Sequence, residues 1–168
     1  GGHDGVVVLW SAADLRPVHR IAAHRNVVSH LAFSWDERWL ASSGDDRRAY
    51  VWNVASGEQD LQIEKRHMGI QWIGFTPDGS RLLTTASGTA DYWDRAGGEH
   101  LGRIESLAAV ADFLPDRSLV GAAPGWQQSL LAWDCTSDTS RRLLEHSSGE
   151  PLAVSADGRR LATLQRDA

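Results

Sequence analysis

The chain has 168 residues, a net charge of −5 and a hydrophobic fraction of 42%, which suits one globular domain with a core of its own. The acid excess argues against nucleic acid as the main partner, since phosphate recognition needs a concentrated basic surface, and pairs such as Arg47–Arg48 read as solvated turn charges. No apolar run approaches the roughly 20 residues of a membrane span, so no membrane partner is expected. The single cysteine, Cys135, can form neither an internal disulfide nor a thiolate zinc cluster. It fits a reducing compartment, and a cytoplasmic location is the expectation. The opening Gly1-Gly2-His3-Asp4 has no signal-peptide pattern and no initiator Met, so a piece of a longer protein is expected.

The first apolar run, Val6–Leu9, ends at Trp10. The next unit is fuller. Leu31–Phe33 leads into a turn at Ser34-Trp35-Asp36-Glu37, Trp39–Ala41 follows, and Ala49–Val51 ends at Trp52. The same order returns twice, through Ile73–Phe75, the turn Thr76-Pro77-Asp78-Gly79 and Trp93, then through Ala111–Phe113, Leu114-Pro115-Asp116-Arg117 and Trp133. A last partial pass runs through Leu152–Val154 and Ser155-Ala156-Asp157-Gly158. Trp10, Trp52, Trp93 and Trp133 are spaced by 42, 41 and 40 residues. Each period holds about four short strands joined by Pro, Asp and Gly turns, and helical periodicity is absent. Such a sheet cannot bury both faces alone and must stack on its neighbours.

This pattern resembles the WD-repeat family across essentially the whole chain, most closely in Ala23-His24, Phe33-Ser34, Leu40-Ala41-Ser42-Ser43-Gly44-Asp45-Asp46 and Trp52-Asn53. The style is similar to bacterial members. The resemblance implies an all-β propeller segment with three complete four-stranded antiparallel blades, at about 23–64, 65–105 and 106–145. It also implies a half blade at each end, at 1–22 and 146–168. It further implies a structural hydrogen-bond network of His24, Asp46, Trp52 and a strand hydroxyl, with Ser42 the first choice and Ser43 the second. An imidazole can donate to the turn Asp and meet the hydroxyl, which accepts from the indole. The next unit keeps His67, Thr85 (or its neighbour Thr84) and Trp93, with Ser87 where the Asp belongs. The third keeps Trp133, with Glu105 and Gln127 in place of the His and Asp. The last stretch has His146, Thr163 and Asp167. Only the first complete unit can make the full network.

No catalytic, metal or cofactor site is expected. The Ser of the His-Asp-Ser trio sits in a buried strand, no Gly-x-Ser-x-Gly elbow is present, and the Asp45-Asp46 turn lacks a calcium ligand ladder. The expected function is a non-catalytic protein-interaction scaffold or sensor that takes a protein or peptide partner on the top face and loops. His30, Asp45, Trp72 and Trp126 are the candidate contact residues, and packing between blades is the competing role for the two tryptophans. An enzyme or small-molecule binder using the central channel is the alternative, and a peptide-mark or ubiquitin-like reader is a subclass of the first. Both ends cut a blade between its second and third strands. The open edges around Val6–Leu9 and Leu161–Leu164 could drive self-association, which makes a fragment or open arc the expectation and a dimer closing an eight-bladed ring the alternative.

Overall fold

A computed structural model describes residues 2–64, 69–105, 109–113, 118–122, 130–134, 139–144, 149–155 and 160–165. All regular structure among them is β. The strands are β1 (Val6–Trp10), β2 (Pro17–Ala22), β3 (Val28–Phe33), β4 (Trp39–Gly44), β5 (Arg48–Asn53), β6 (Gln59–Glu64), β7 (Trp72–Phe75), β8 (Arg81–Ala86), β9 (Thr89–Asp94), β10 (His100–Ile104), β11 (Ala109–Phe113), β12 (Ser118–Ala122), β13 (Leu130–Asp134), β14 (Thr139–Leu144), β15 (Gly149–Val154) and β16 (Leu161–Gln165). They form two-stranded sheets β1–β2 and β15–β16 and four-stranded meanders β3–β6, β7–β10 and β11–β14. The all-β, four-stranded expectation holds. Among the described residues, no helix is long and apolar enough to cross a membrane.

The chain divides into two compact units, Gly1–Ala86 with Asp91–Gly102, and Ser87–Ala90 with Arg103–Ala168. In the first unit the sheets stack through two apolar clusters. Val7 and Leu9 of β1 share one with Leu40, Tyr50 and Trp52, and Ala41, Ala49, Val51 and Ile63 share the other with Ile70, Ile73, Phe75 and Leu82. The middle strands β4 and β5 are buried along nearly their whole length, so both faces are covered. In the second unit β11 lies beside β15, as β3 lies beside β7 in the first.

Among the described residues, the turn after the first strand of a repeat is built the same way three times. Ser34 N donates to Trp39 O and Trp39 N to Ser34 Oγ, at 2.9 and 3.0 Å. Thr76 with Arg81, and Ser155 with Arg160, repeat both bonds. One hydroxyl thus replaces a missing ladder bond and closes the hairpin. Asp36 accepts from Ser34 Oγ and from Arg38 N, and these bonds hold its carboxyl below the ordinary range. Asp78 takes the same role with Thr76 and Ser80. Glu37 then sits at φ 59°, where the equivalent residue of the next turn is Gly79 at φ 71°.

A polar clasp joins the two stacked blades of the first unit. The Arg95 guanidinium lies 3.7 Å from the centre of the Trp39 ring, and its Nη2 is 2.9 Å from Asp60 Oδ2. Trp39 is therefore an inter-blade residue, and the stacked cation adds about 1–2 kcal/mol at a desolvated site.

Two substitutions probe this architecture. Glu37→Gly should raise stability by about 0.5–1 kcal/mol in urea unfolding, because it removes a left-handed non-glycine residue. Leu82→Ala should lower it by about 2–5 kcal/mol through a cavity between stacked sheets.

Candidate functional site

The β3–β6 blade carries the most complete polar arrangement among the described residues. His24 precedes β3, Ser42 lies on β4, Asp46 in the following turn and Trp52 on β5. His24 Nδ1 is 2.9 Å from Asp46 Oδ1, His24 Nε2 is 2.9 Å from Ser42 Oγ, and Trp52 Nε1 donates to the same Ser42 oxygen at 2.9 Å. The carboxylate can only accept and the indole can only donate, so Nδ1 carries a hydrogen toward Asp46 and the Ser42 oxygen accepts from Trp52, while the direction of the His24 Nε2–Ser42 Oγ bond follows the imidazole tautomer. Tyr50 closes the edge of the imidazole at 5.0 Å. Gly44 is required here, since a Cβ would come within 2.7 Å of His24 Nδ1 and 2.9 Å of Val27 O. Ser43 is also buried, but its hydroxyl lies outside the network, which settles the choice on Ser42.

Asp46 is held by more than His24. Burial works against its charge, yet the backbone amides of Arg25 and Arg48 and the imidazole outweigh burial and keep the carboxyl below its ordinary range. The trio has the composition of a hydrolytic triad, but Ser42 is fully buried and its oxygen is shared between an imidazole and an indole. It pins a loop to two strands.

The β7–β10 blade differs from expectation in one residue. Trp93 Nε1 donates to Thr84 Oγ1 at 2.8 Å, so Thr84, not Thr85, is the hydroxyl partner. The cause is a shorter hairpin. Ser87 and Gly88 form a two-residue turn with both φ values positive, 48° and 82°, as a type I′ hairpin requires. Ser42 and Trp52 are ten residues apart, whereas Thr84 and Trp93 are nine. Thr85 instead stands opposite Trp72 in the β7–β8 ladder, and its carbonyl accepts from Gln71 N. This turn has no aspartate, and a different pair appears nearby. Asp91, 1% exposed and two positions before the Trp as Tyr50 is in the other blade, accepts from His100 Nε2 at 3.0 Å, and the His100 ring packs edge-on against Trp93. Sequence reasoning missed this cross-strand pair because it depends on register between β9 and β10.

Trp133 stands opposite Leu119 in the β12–β13 ladder and is half-buried. Thr163 lies in β16, while His67, Trp126, His146 and Asp167 fall outside the described residues.

Three of the four candidate contact residues share one stretch of surface. Asp45 is exposed in the β4–β5 turn and accepts from Ser29 Oγ at 3.0 Å. His30 follows Ser29 on β3, and its Nδ1 donates to Ile73 O on β7 at 3.1 Å. The His30 and Trp72 rings lie 5.6 Å apart, and Trp72 folds over Gly74, where a Cβ would meet its ring at 2.3 Å. His30 and Trp72 are both half-buried, so each combines packing with a solvent-facing surface. Gly69 approaches the Asp45 backbone and completes the surface. It thus presents a carboxylate, a hydroxyl and an aromatic pair on two hydrogen-bonded sheets.

Residues 15–53 match the family described as WD domain, G-beta repeat. The sheets have the fold of β-propeller blades, and residues 15–53 are similar to a WD repeat. The chain is similar to Protein FIZZY-RELATED 2 of Arabidopsis thaliana, with 28% identity over 155 residues that cover 87% of this chain and 32% of that protein. It is also similar to autophagy-related protein 18 of Schizosaccharomyces pombe, 30% identical over 130 residues that cover 76% of this chain and 32% of that protein. A chain in the crystal structure of a mitotic checkpoint complex superposes with a TM-score of 0.78 at 18% identity, covering 97% of this chain and 56% of that one. The chain spans about a third of the length of these curated relatives, 32% in both cases. Both relatives are eukaryotic, and the likeness to bacterial members finds no support in them.

Ser42→Ala should cost about 1–3 kcal/mol, since it leaves the indole and imidazole nitrogens of a buried network unpaired. Thr84→Ala should likewise destabilise more than Thr85→Ala. Because the Asp46 carboxyl is lowered in the fold, its contribution is complete above the unfolded value of about 3.9 and disappears as pH falls through the lower folded value. Asp46→Asn should therefore flatten stability against pH in the acid range, measured by urea midpoints. In hydrogen exchange, the Val51 amide should be more protected than that of Leu131.

Proposed function

We propose that this chain is a non-catalytic protein-interaction module whose contact surface is the Asp45–Ser29–His30–Trp72 stretch. The observation that carries the reading is the placement of an exposed carboxylate beside a half-buried aromatic pair, next to the best-braced loop of the blade. Rigid support keeps the ordering cost of binding low. The fitting partner is a protein or peptide segment that presents a basic side chain to Asp45 and an apolar or cationic one to Trp72.

Two further features support a protein partner. Relatives carry names such as B-type cell cycle switch protein, and a structural neighbour belongs to a complex. The net charge of −5 opposes phosphate backbones as ligands. We place the chain in the cytoplasm, in keeping with its single cysteine.

Asp45→Lys tests the contact surface without touching the core. Proteins captured by the wild-type chain should be lost from Asp45→Lys and kept by Leu101→Ala, an exposed position on β10. Thermal unfolding of both variants should match wild type. Capture that survives Asp45→Lys unchanged would refute the assignment.

A further inference from the structure

One tryptophan of this molecule already holds an arginine. The Arg95 guanidinium lies 3.7 Å from the centre of the Trp39 ring, and Asp60 Oδ2 pairs with its Nη2 at 2.9 Å. An aromatic face and a carboxylate thus share one planar cation, the first through its quadrupole and the second through its charge.

Trp72 and Asp45 offer the same two groups without the cation. Asp45 is exposed, and among the described residues its carboxylate accepts only from Ser29 Oγ, through Oδ1, and pairs with no basic side chain. Trp52 and Trp93 give their indole N–H groups to Ser42 and Thr84, whereas that of Trp72 has no acceptor among the described residues. The Trp72 ring is fixed in advance. Gly74 gives it room to lie across β7, since a Cβ there would overlap the ring. The His30 ring backs it at 5.6 Å and is itself tied by Nδ1 to Ile73 O. Gly69, where an added Cβ would stand 3.2 Å from Asp45 Cα, precedes Trp72 by three residues. At roughly 3.3 Å per residue, at most about 10 Å of backbone separates the two groups.

We infer that Trp72 and Asp45 receive one arginine side chain of the partner, its guanidinium lying against the solvent-facing side of the indole and pairing with Asp45 Oδ2, as Arg95 lies between Trp39 and Asp60. The indole N–H is then free to donate to a backbone carbonyl of the same segment. Lysine fits less well, because an ammonium cannot lie flat on a ring and gives up its water less readily. This rests on the contact surface proposed above and names the side chain which that surface takes.

Nα-acetyl-arginine amide is the probe, titrated into the isotope-labelled chain while NMR follows the Trp72 indole and the Asp45 and Gly69 amides. These signals should shift together and saturate in the millimolar range, as a ligand of this size allows. Citrulline amide, equal in shape but uncharged, should bind about tenfold more weakly. Asp45→Asn and Trp72→Leu should each weaken arginine binding about fivefold. Asp45→Asn changes only an exposed side chain, so it reads the site even where Trp72→Leu loses its fold. No response to arginine amide, an equal response to citrulline amide, or a response unchanged in Asp45→Asn would overturn the inference. If captured proteins are still lost from Asp45→Lys while arginine amide gives no response, the contact surface stands and the arginine assignment alone falls.

Discussion

A sheet that is apolar on both faces cannot be stable by itself, and everything in this chain follows from that constraint. β4 is buried from Leu40 to Gly44 and β5 from Ala49 to Trp52, with none of the alternation seen in a sheet that has one wet face. One face of this pair takes Val7 and Leu9, the other takes Ile73 and Phe75. Each blade is thus a lining for the next, and the hydrophobic term is gained only through stacking.

Stacking fixes the sheets but leaves their loops to be fastened by polar groups. The β3–β6 blade does this with one serine oxygen that serves both an imidazole and an indole, backed by an aspartate that holds two further backbone amides. The β7–β10 blade does without the aspartate, because a two-residue turn with two positive φ values needs no long loop to brace. It keeps the indole–hydroxyl bond and adds Asp91–His100 at the outer pair of strands. The network is therefore not one motif copied with losses. Each blade meets the same requirement, a satisfied interior, with the residues its turn length permits.

That difference explains what the sequence could and could not show. The period, the turn hydroxyls Ser34, Thr76 and Ser155 and the indole positions are local, so they are readable from spacing. Ser42 was identifiable because its turn has the full length. Thr84 was not distinguishable from Thr85, since one residue fewer in the hairpin shifts the count, and in a strand a shift of one residue reverses the face. Asp91 with His100 joins two neighbouring strands, and Arg95 with Trp39 and Asp60 joins two blades. Their pairing is a property of stacking, and no local pattern encodes it.

Burial, rather than residue type, decides what such groups can do. Ser42, His24 and Asp46 have the hydrogen-bond connectivity of a nucleophile, base and orienting acid, yet the serine has no exposed surface and its oxygen is shared by the imidazole and the Trp52 indole. A reacting carbonyl would have to displace Tyr50 or Trp52 to reach it, at the expense of the core they share with Leu40. The same fastening makes the adjoining Asp45 turn and the start of β3 a fixed platform, where Asp45, Ser29 and His30 keep their spacing without a ligand. Chemistry that would be catalytic in a cleft becomes, inside a stack of sheets, the means of holding a surface turn still.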